Sequence, residues 1–322
     1  MAGGRVKTDC VEGYQLDHGF QVLLTAYPMA RKYLNFEKLK LQKFLPGAVV
    51  FKNGRQKTLG DPLRSFSLLF PTLLSNIGSF SDKVKVLKLN RILRKLTIEE
   101  IFEEQEEPTL SFLKKFGFSS AIIEQFFRPF FSGIFLEQHL QTSSRMFKFV
   151  YKMFGEGSAT IPKSGISEIP NELISRLNHT SFLYKTKVNR VEEGKVILEK
   201  GEEIKSHFTI ITIDPSLIVA NMKNQPLSWK SCDTLYFETE TKVIHQRLIG
   251  LIAVKEALIN NICYPTALQT TSLSKKELLS VTIVKEHNLD EQTLIETVKG
   301  ELNRYCKIDT NRFLKRYTIN KA

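Results

Sequence analysis

Two stretches near the start of the chain, "RVKTDCV" and "YQLDHGFQVLL", mix apolar and polar positions in the manner of short strands and meet at Glu12-Gly13. A second hairpin is predicted over 45–59, "LPGAVVFKNGRQKTL", where Asn53-Gly54 supplies the residue pair that tolerates positive φ in a tight turn. From Asp61 to about Phe154 the apolar period lengthens to that of helices. In "SDKVKVLKLNRILRKL" Val86, Leu89, Leu93 and Leu96 form one stripe, lysines and arginines fill the rest, and Ser81 stands as the N-cap. "PTLSFLKKFGF" predicts a second helix stopping near Gly117, and "SSAIIEQFFRPFF" a third, ended or interrupted at Pro129.

Gly155 and Gly157 close this helical block. A helix in "NELISRL" leads into "SFLYKTKVNRVEEGKVILEKGEEIKSHFTIITI", whose alternation predicts a meander of three or four strands ending in the apolar strand "FTIITI". "DTLYFETET", "QRLIGLIAV" and "LLSVTIVKE" add strands, and a last helix is expected over about 290–305. Strands, a helical insert and strands again imply two domains whose segments interleave.

Composition narrows the function classes. The 322 residues are 42% apolar and 25% charged, the balance of a folded globular protein. Twenty-three phenylalanines, many within 102–154, are too much aromatic surface to leave in water; they form a core or line an apolar tunnel. A net charge of +12 attracts anionic partners, or simply keeps the surface solvated. No basic run alternates with aromatics in a nucleic-acid-binding pattern, so nucleic acid is not an expected partner. The basic helix 82–96 is either a solvated face or a peripheral contact with an anionic membrane. Cys10, Cys232, Cys263 and Cys306 are scattered singly, which argues for a reducing compartment, the cytoplasm, and against a zinc site; no metal is expected.

The remaining chemistry lies in four blocks. "GGRVKTD" with "GYQLDHGFQVL", then "LQTSSRMFKFVYKMFGEGSATIPKSGISEIPNELISRL", then "KTKVNRVEEGKVIL", then "GEEIKSHFTIITIDP" resemble, in this order, FAD-dependent oxidoreductases related to flavin amine oxidases, phytoene desaturases and protoporphyrinogen oxidases. The resemblance implies an α/β (α+β) fold with an incomplete Rossmann-like FAD-binding domain, 1–45 and 158–220. A mixed sheet-plus-helices substrate domain, 46–157 and 221–322, interleaves with it.

The implied cofactor is FAD. Gly3 and Gly4 would let backbone amides approach the pyrophosphate, Arg5 would add fixed charge, and Gly19 with Phe20 or Gln21 would pass beside the flavin ring. Val188 would meet the adenine. Read on their own, GGR is a surface turn, Gly19 a strand bulge and Val188 an ordinary core valine. His18 is a candidate acid or base and Asp17 a loop tie, but no catalytic residue is assigned. The family's GxGxxG unit and its C-terminal FAD block are not found, so the chain is expected to be truncated, or completed by another polypeptide. The implied activity is oxidation of a small apolar or amine substrate by hydride transfer to FAD. The rival reading is an inactive flavoprotein fragment serving as a binding or partner module.

Overall fold

Alternation along Cys232–Thr239 organises the larger part of the structure. Leu235 and Phe237 face a core shared with Leu279, Val281, and Leu294 and Val298 of the helix Glu291–Glu301. Tyr236, between them, faces the other way and packs with Tyr14, Leu16, Leu278 and Tyr317. This strand belongs to a seven-stranded sheet. Its order is Arg312–Ile319, Cys232–Thr239, Glu277–Ile283, Ile259–Cys263, Ile249–Ile252, Gly47–Lys52 and Arg55–Gly60. Neighbours are antiparallel except Ile249–Ile252 and Gly47–Lys52, which run parallel.

The computed structural model describes residues 2–61, 63–222, 228–268, 270–271 and 275–321. It is a mixed α/β protein with several sheets, as the sequence implies. Compactness divides it into Gly3–Ile174 with Lys230–Ala322, and Met1–Ala2 with Ser175–Trp229.

Both expected hairpins form. Thr8–Val11 pairs with Tyr14–Asp17 across Glu12 and Gly13, at φ 49° and 82°, and Gly47–Lys52 pairs with Arg55–Gly60 across Asn53 and Gly54, at 51° and 73°. Two successive positive φ values match the right-handed strand twist, which is why Gly follows Glu12 and Asn53. The strands Ile259–Cys263 and Arg312–Ile319 are additions to those expected.

The helical insert packs around Leu89, Leu93, Phe127, Phe131 and Phe147, with Phe131 and Phe147 ring centres 4.6 Å apart. The phenylalanines therefore form a core. The basic helix spans Phe80–Lys95 and begins two residues earlier than expected. Its cap is Ser79, not Ser81: Asp82 receives the Ser79 amide at 2.7 Å, while Ser79 Oγ accepts the Asp82 amide at 3.1 Å. The sequence offers two serines, and only the first has an acid three residues on to close the reciprocal box. Asp82 also accepts from the Ser119 amide at 2.9 Å and hydroxyl at 2.6 Å, joining two helix starts.

Pro129 does not break its helix. Ser120–Ile122 passes through a wide π turn, Ile123–Phe127, into Arg128–Phe135. The widened turn makes Pro129 an early residue of a new α segment, where a missing N–H is tolerated. The next helix, Ser144–Glu156, ends at Gly157, and the one after it, Glu168–Ile174, overlaps the expected "NELISRL" but starts and stops three residues earlier.

The smaller unit contains a meander, Val188–Glu192, Lys195–Leu198 and Glu203–Lys205. The expected strand "FTIITI" is absent: 208–213 has no regular structure, with Phe208 93% and Ile210 88% exposed. β propensity is realised only when a neighbouring strand takes the backbone hydrogen bonds, and among the described residues none pairs here.

Burial opposes charge on Asp82, yet the bonds from Ser119 and Ser79 outweigh it and hold its pKa at about 2. Because the folded value lies below the unfolded one, the stabilisation is complete above the ordinary carboxylate pKa and is lost as pH falls through about 2. Asp82→Asn should lower unfolding free energy at pH 7 by about 1–3 kcal/mol. In urea melts its gap to wild type should narrow as pH drops below about 4. Ser79→Ala should cost about 1 kcal/mol and Ser81→Ala almost nothing.

Candidate active site

The paired glycines near the start build a turn. Gly3 and Gly4 lie at φ 109° and 52°, and the Val6 amide donates to Gly3 O at 2.8 Å. A Cβ at Gly3 would sit 2.8 Å from Val6 O and 2.9 Å from Pro170 Cγ, so this corner is seated on the helix Glu168–Ile174. At Gly4 nothing lies within 4 Å. Arg5 Nη1 donates to Lys321 O at 2.8 Å. The side chain of Gln21 joins this turn to the next block: its Nε2 donates to Arg5 O at 3.2 Å and to His18 O at 3.1 Å.

Gly19 stands just beyond the hairpin strand Tyr14–Asp17, not at a bulge inside it. Its amide donates to Asp17 O at 2.8 Å, bending the chain at φ 97°. A Cβ there would meet nothing closer than Thr234 Oγ1 at 3.9 Å. Glycine is thus required by conformation, and space remains beside it. Phe20 packs edge-on against Phe44.

Gly19, Phe20 and Gln21 line a small cleft with a cavity volume of about 20 Å³. Ile161, Pro162 and Gly165 line it as well, with Tyr236 from the sheet and Pro265 from the turn after Ile259–Cys263. Two blocks distant in sequence are thereby brought together.

Asp17 holds these segments in register. Its Oδ1 accepts from Thr8 Oγ1 at 2.6 Å and from the Ile166 amide at 3.0 Å. Its carbonyl accepts from Tyr236 Oη at 2.8 Å. Thr8 Oγ1 also receives the Ser167 amide at 3.1 Å. Gly165, at φ 92°, passes so close to Thr8 that a Cβ would lie 2.4 Å from that oxygen. Burial raises the Asp17 pKa, with the hydrogen bonds from Thr8 and Ile166 acting against it.

His18 turns to Asp9 and Tyr317 rather than the cleft. Its Nε2 lies 2.9 Å from Asp9 Oδ2, its ring centre 4.2 Å from that of Tyr317, and Tyr317 Oη donates to the same Asp9 oxygen at 2.8 Å. Burial works against charge on Asp9, but the Tyr317 and His18 contacts prevail and lower its pKa. His18 is accordingly part of the hairpin's support.

Val188 belongs to the smaller unit, where it opens the strand Val188–Glu192 opposite Leu198. Tyr236, Pro162, Gly165 and Thr8 were not singled out by the sequence. Gly165 in "PKSGI" was the available signal, since a glycine between turn-forming residues marks a position where a side chain cannot fit.

Residues 1–316 match the family of flavin containing amine oxidoreductases. No curated protein matches. Among solved structures, an oxidoreductase from Methanosarcina mazei is similar at TM-score 0.72 and 15% identity, covering 100% of this chain and 80% of that one. A protein of Pyrococcus furiosus is similar at 0.69 and 15%, with the same coverage. Cyclohexylamine oxidase from Brevibacterium oxydans follows at 0.67 and 12%, covering 98% and 77%. At such identities these likenesses establish the fold.

Asparagine at position 17 keeps an acceptor for Thr8 and Ile166 while removing a charge that burial disfavours; alanine keeps neither. In denaturant melts at pH 7, Asp17→Asn should stay within about 1 kcal/mol of wild type, whereas Asp17→Ala should lose about 2–3 kcal/mol. The raised pKa means that Asp17 destabilises the fold as pH rises above the unfolded value of 3.8, so Asp17→Asn should gain on wild type between acid and neutral pH.

Proposed function

Given that the chain belongs to the flavin-containing amine oxidoreductase family, which implies a flavin cofactor, we propose that it oxidises a small apolar or amine substrate at a C–N or C–C bond, with FAD as hydride acceptor. The observation that carries this reading is the cleft lined by residues 15–21 and 161–165, distant in sequence, with a glycine at position 19 in its lining.

A flat ring is far larger than this cavity, so its entry requires the cleft to widen. Gly19, Phe20 and Gln21 would lie against the ring, and Ile161 and Pro162 would keep water from it. Tyr236 lines the cleft from the sheet while its hydroxyl is engaged by Asp17, which fixes the ring's orientation. Gly3, Gly4 and Arg5 are assigned to the pyrophosphate, through open backbone at Gly4 and the cationic guanidinium. Val188 is assigned to the adenine on the family resemblance alone. FAD, when bound, supplies the redox chemistry; the chain's own residues orient substrate and exclude water. By role, 1–45 and 158–220 serve the cofactor, and 46–157 and 221–322 serve the substrate. Four free thiols, with Cys10 exposed, favour a reducing, cytoplasmic setting.

Titrating the purified full chain with FAD and following flavin fluorescence tests the assignment. Saturable quenching is expected, with Gly19→Leu abolishing it by filling the cleft wall. Arg5→Ala should weaken it about tenfold or more, the worth of a charge-assisted hydrogen bond. If wild type takes up no FAD, the oxidoreductase reading is overturned in favour of a non-catalytic binding module.

A further inference from the structure

A second surface, far from ordinary in its chemistry, lies within residues 63–95. In the short turn Phe66–Leu68 and the helix Leu69–Leu74, Phe66, Phe70, Leu73 and Leu74 recur at the spacing of one helical face. That face is exposed, Phe66 by 76% and Leu74 by 79%. It is also firmly mounted: Leu68 is fully buried, and Thr72 Oγ1 accepts from the Gly60 amide at 2.9 Å.

The helix Phe80–Lys95 extends the surface. Leu89 and Leu93 are buried, while Phe80, Val84 and Leu87, also one face apart in spacing, are exposed. Lys88, Arg91, Arg94 and Lys95 are exposed on this helix, with Lys88 Nζ 6.0 Å from the Phe116 ring centre and Arg94 Nη2 donating to Gly155 O at 3.5 Å. The only acid of this helix, Asp82, is buried in the cap. Lys83 Nζ donates to Ser75 O at 2.6 Å and to Leu73 O at 3.2 Å, tying the apolar segment to the basic helix.

Apolar rings flanked by cations, without exposed acids on the helix, define what can cover them. A second copy would bring the same positive charges against these. An acidic soluble partner would neutralise the cations but leave the phenylalanines and leucines without an apolar phase. A lipid bilayer bearing anionic headgroups satisfies both. Among the described residues no helix is long and apolar enough to cross a membrane, so such contact is interfacial.

We propose that this surface docks on an anionic bilayer, with Phe66, Phe70, Leu74 and Phe80 entering the headgroup region and Lys88, Arg91, Arg94 and Lys95 meeting lipid phosphates. The docking is independent of FAD binding, so either can fail alone.

Co-sedimentation of the full chain with sucrose-loaded vesicles tests it. Phosphatidylcholine vesicles containing roughly 30% phosphatidylserine should pull the protein down, and pure phosphatidylcholine should not. Salt at about 0.5 M should release much of it. F70S/L74S should lower the partition coefficient by about tenfold or more, and K88E/R91E similarly at low salt. Circular dichroism melts check that each variant folds, and the single variants F70S and L74S, expected to weaken binding by about threefold each, carry the test should the double variant not fold. Wild type left in the supernatant with both vesicles overturns the proposal, as does a folded F70S/L74S that binds like wild type. A dimer in size-exclusion chromatography that F70S/L74S dissolves, without vesicle binding, assigns the surface to a second copy and overturns it equally.

Discussion

Burying much of a carboxylate is unfavourable, and at Asp17 that cost is offset by the elements it ties together. Through the Thr8 hydroxyl it pins the first hairpin strand, and through the Ile166 amide it pins the loop that follows Pro162. Through its own carbonyl it receives Tyr236 from the sheet. Three elements from distant parts of the chain meet at one residue, and the cleft is the gap they leave. The bend at Gly19 begins only two residues later, so the geometry of the cleft lining there is set by the same anchor.

The basic helix and the Asp82 network repeat this logic at a helix start. One buried acid takes donors from Ser79 and Ser119 and so fixes where two helices begin relative to each other. In both places polar groups position the backbone, and the surrounding phenylalanine and leucine packing supplies the bulk of the burial. Such satisfied buried acids are specific because leaving any partner unpaired is expensive.

Local signals in the sequence carried far. Glu12-Gly13 and Asn53-Gly54 announce their hairpins because the backbone demands of a two-residue turn are met by few residues. The stripe through Leu89 and Leu93 announces its helix. Where reading failed, the deciding partner lay elsewhere in the chain. Ser79 and Ser81 look alike until the Asp82 box is considered; Pro129 reads as a stop until a wide turn relieves it. Residues 208–213 have every local mark of a strand and lack the neighbour that makes one. Of the cleft's lining, Gly19, Phe20 and Gln21 were reached through the family resemblance, whereas Tyr236, and Thr8 beside the cleft, are ordinary strand residues whose importance comes only from the tertiary bonds they make.

The order of strands in the large sheet also constrains how the protein is made. Gly47–Lys52 lies beside Ile249–Ile252, and Cys232–Thr239 is flanked on one side by Arg312–Ile319, which leaves the ribosome after every other strand of the sheet. Until then Phe237 lacks the ring of Phe313, whose centre lies 5.7 Å away in the finished fold. A topology dominated by such distant pairings folds slowly once synthesis has passed its last strand. While that strand is still missing, the edge of Cys232–Thr239 that it will cover has its backbone groups unpaired, the kind of exposure through which nascent chains aggregate.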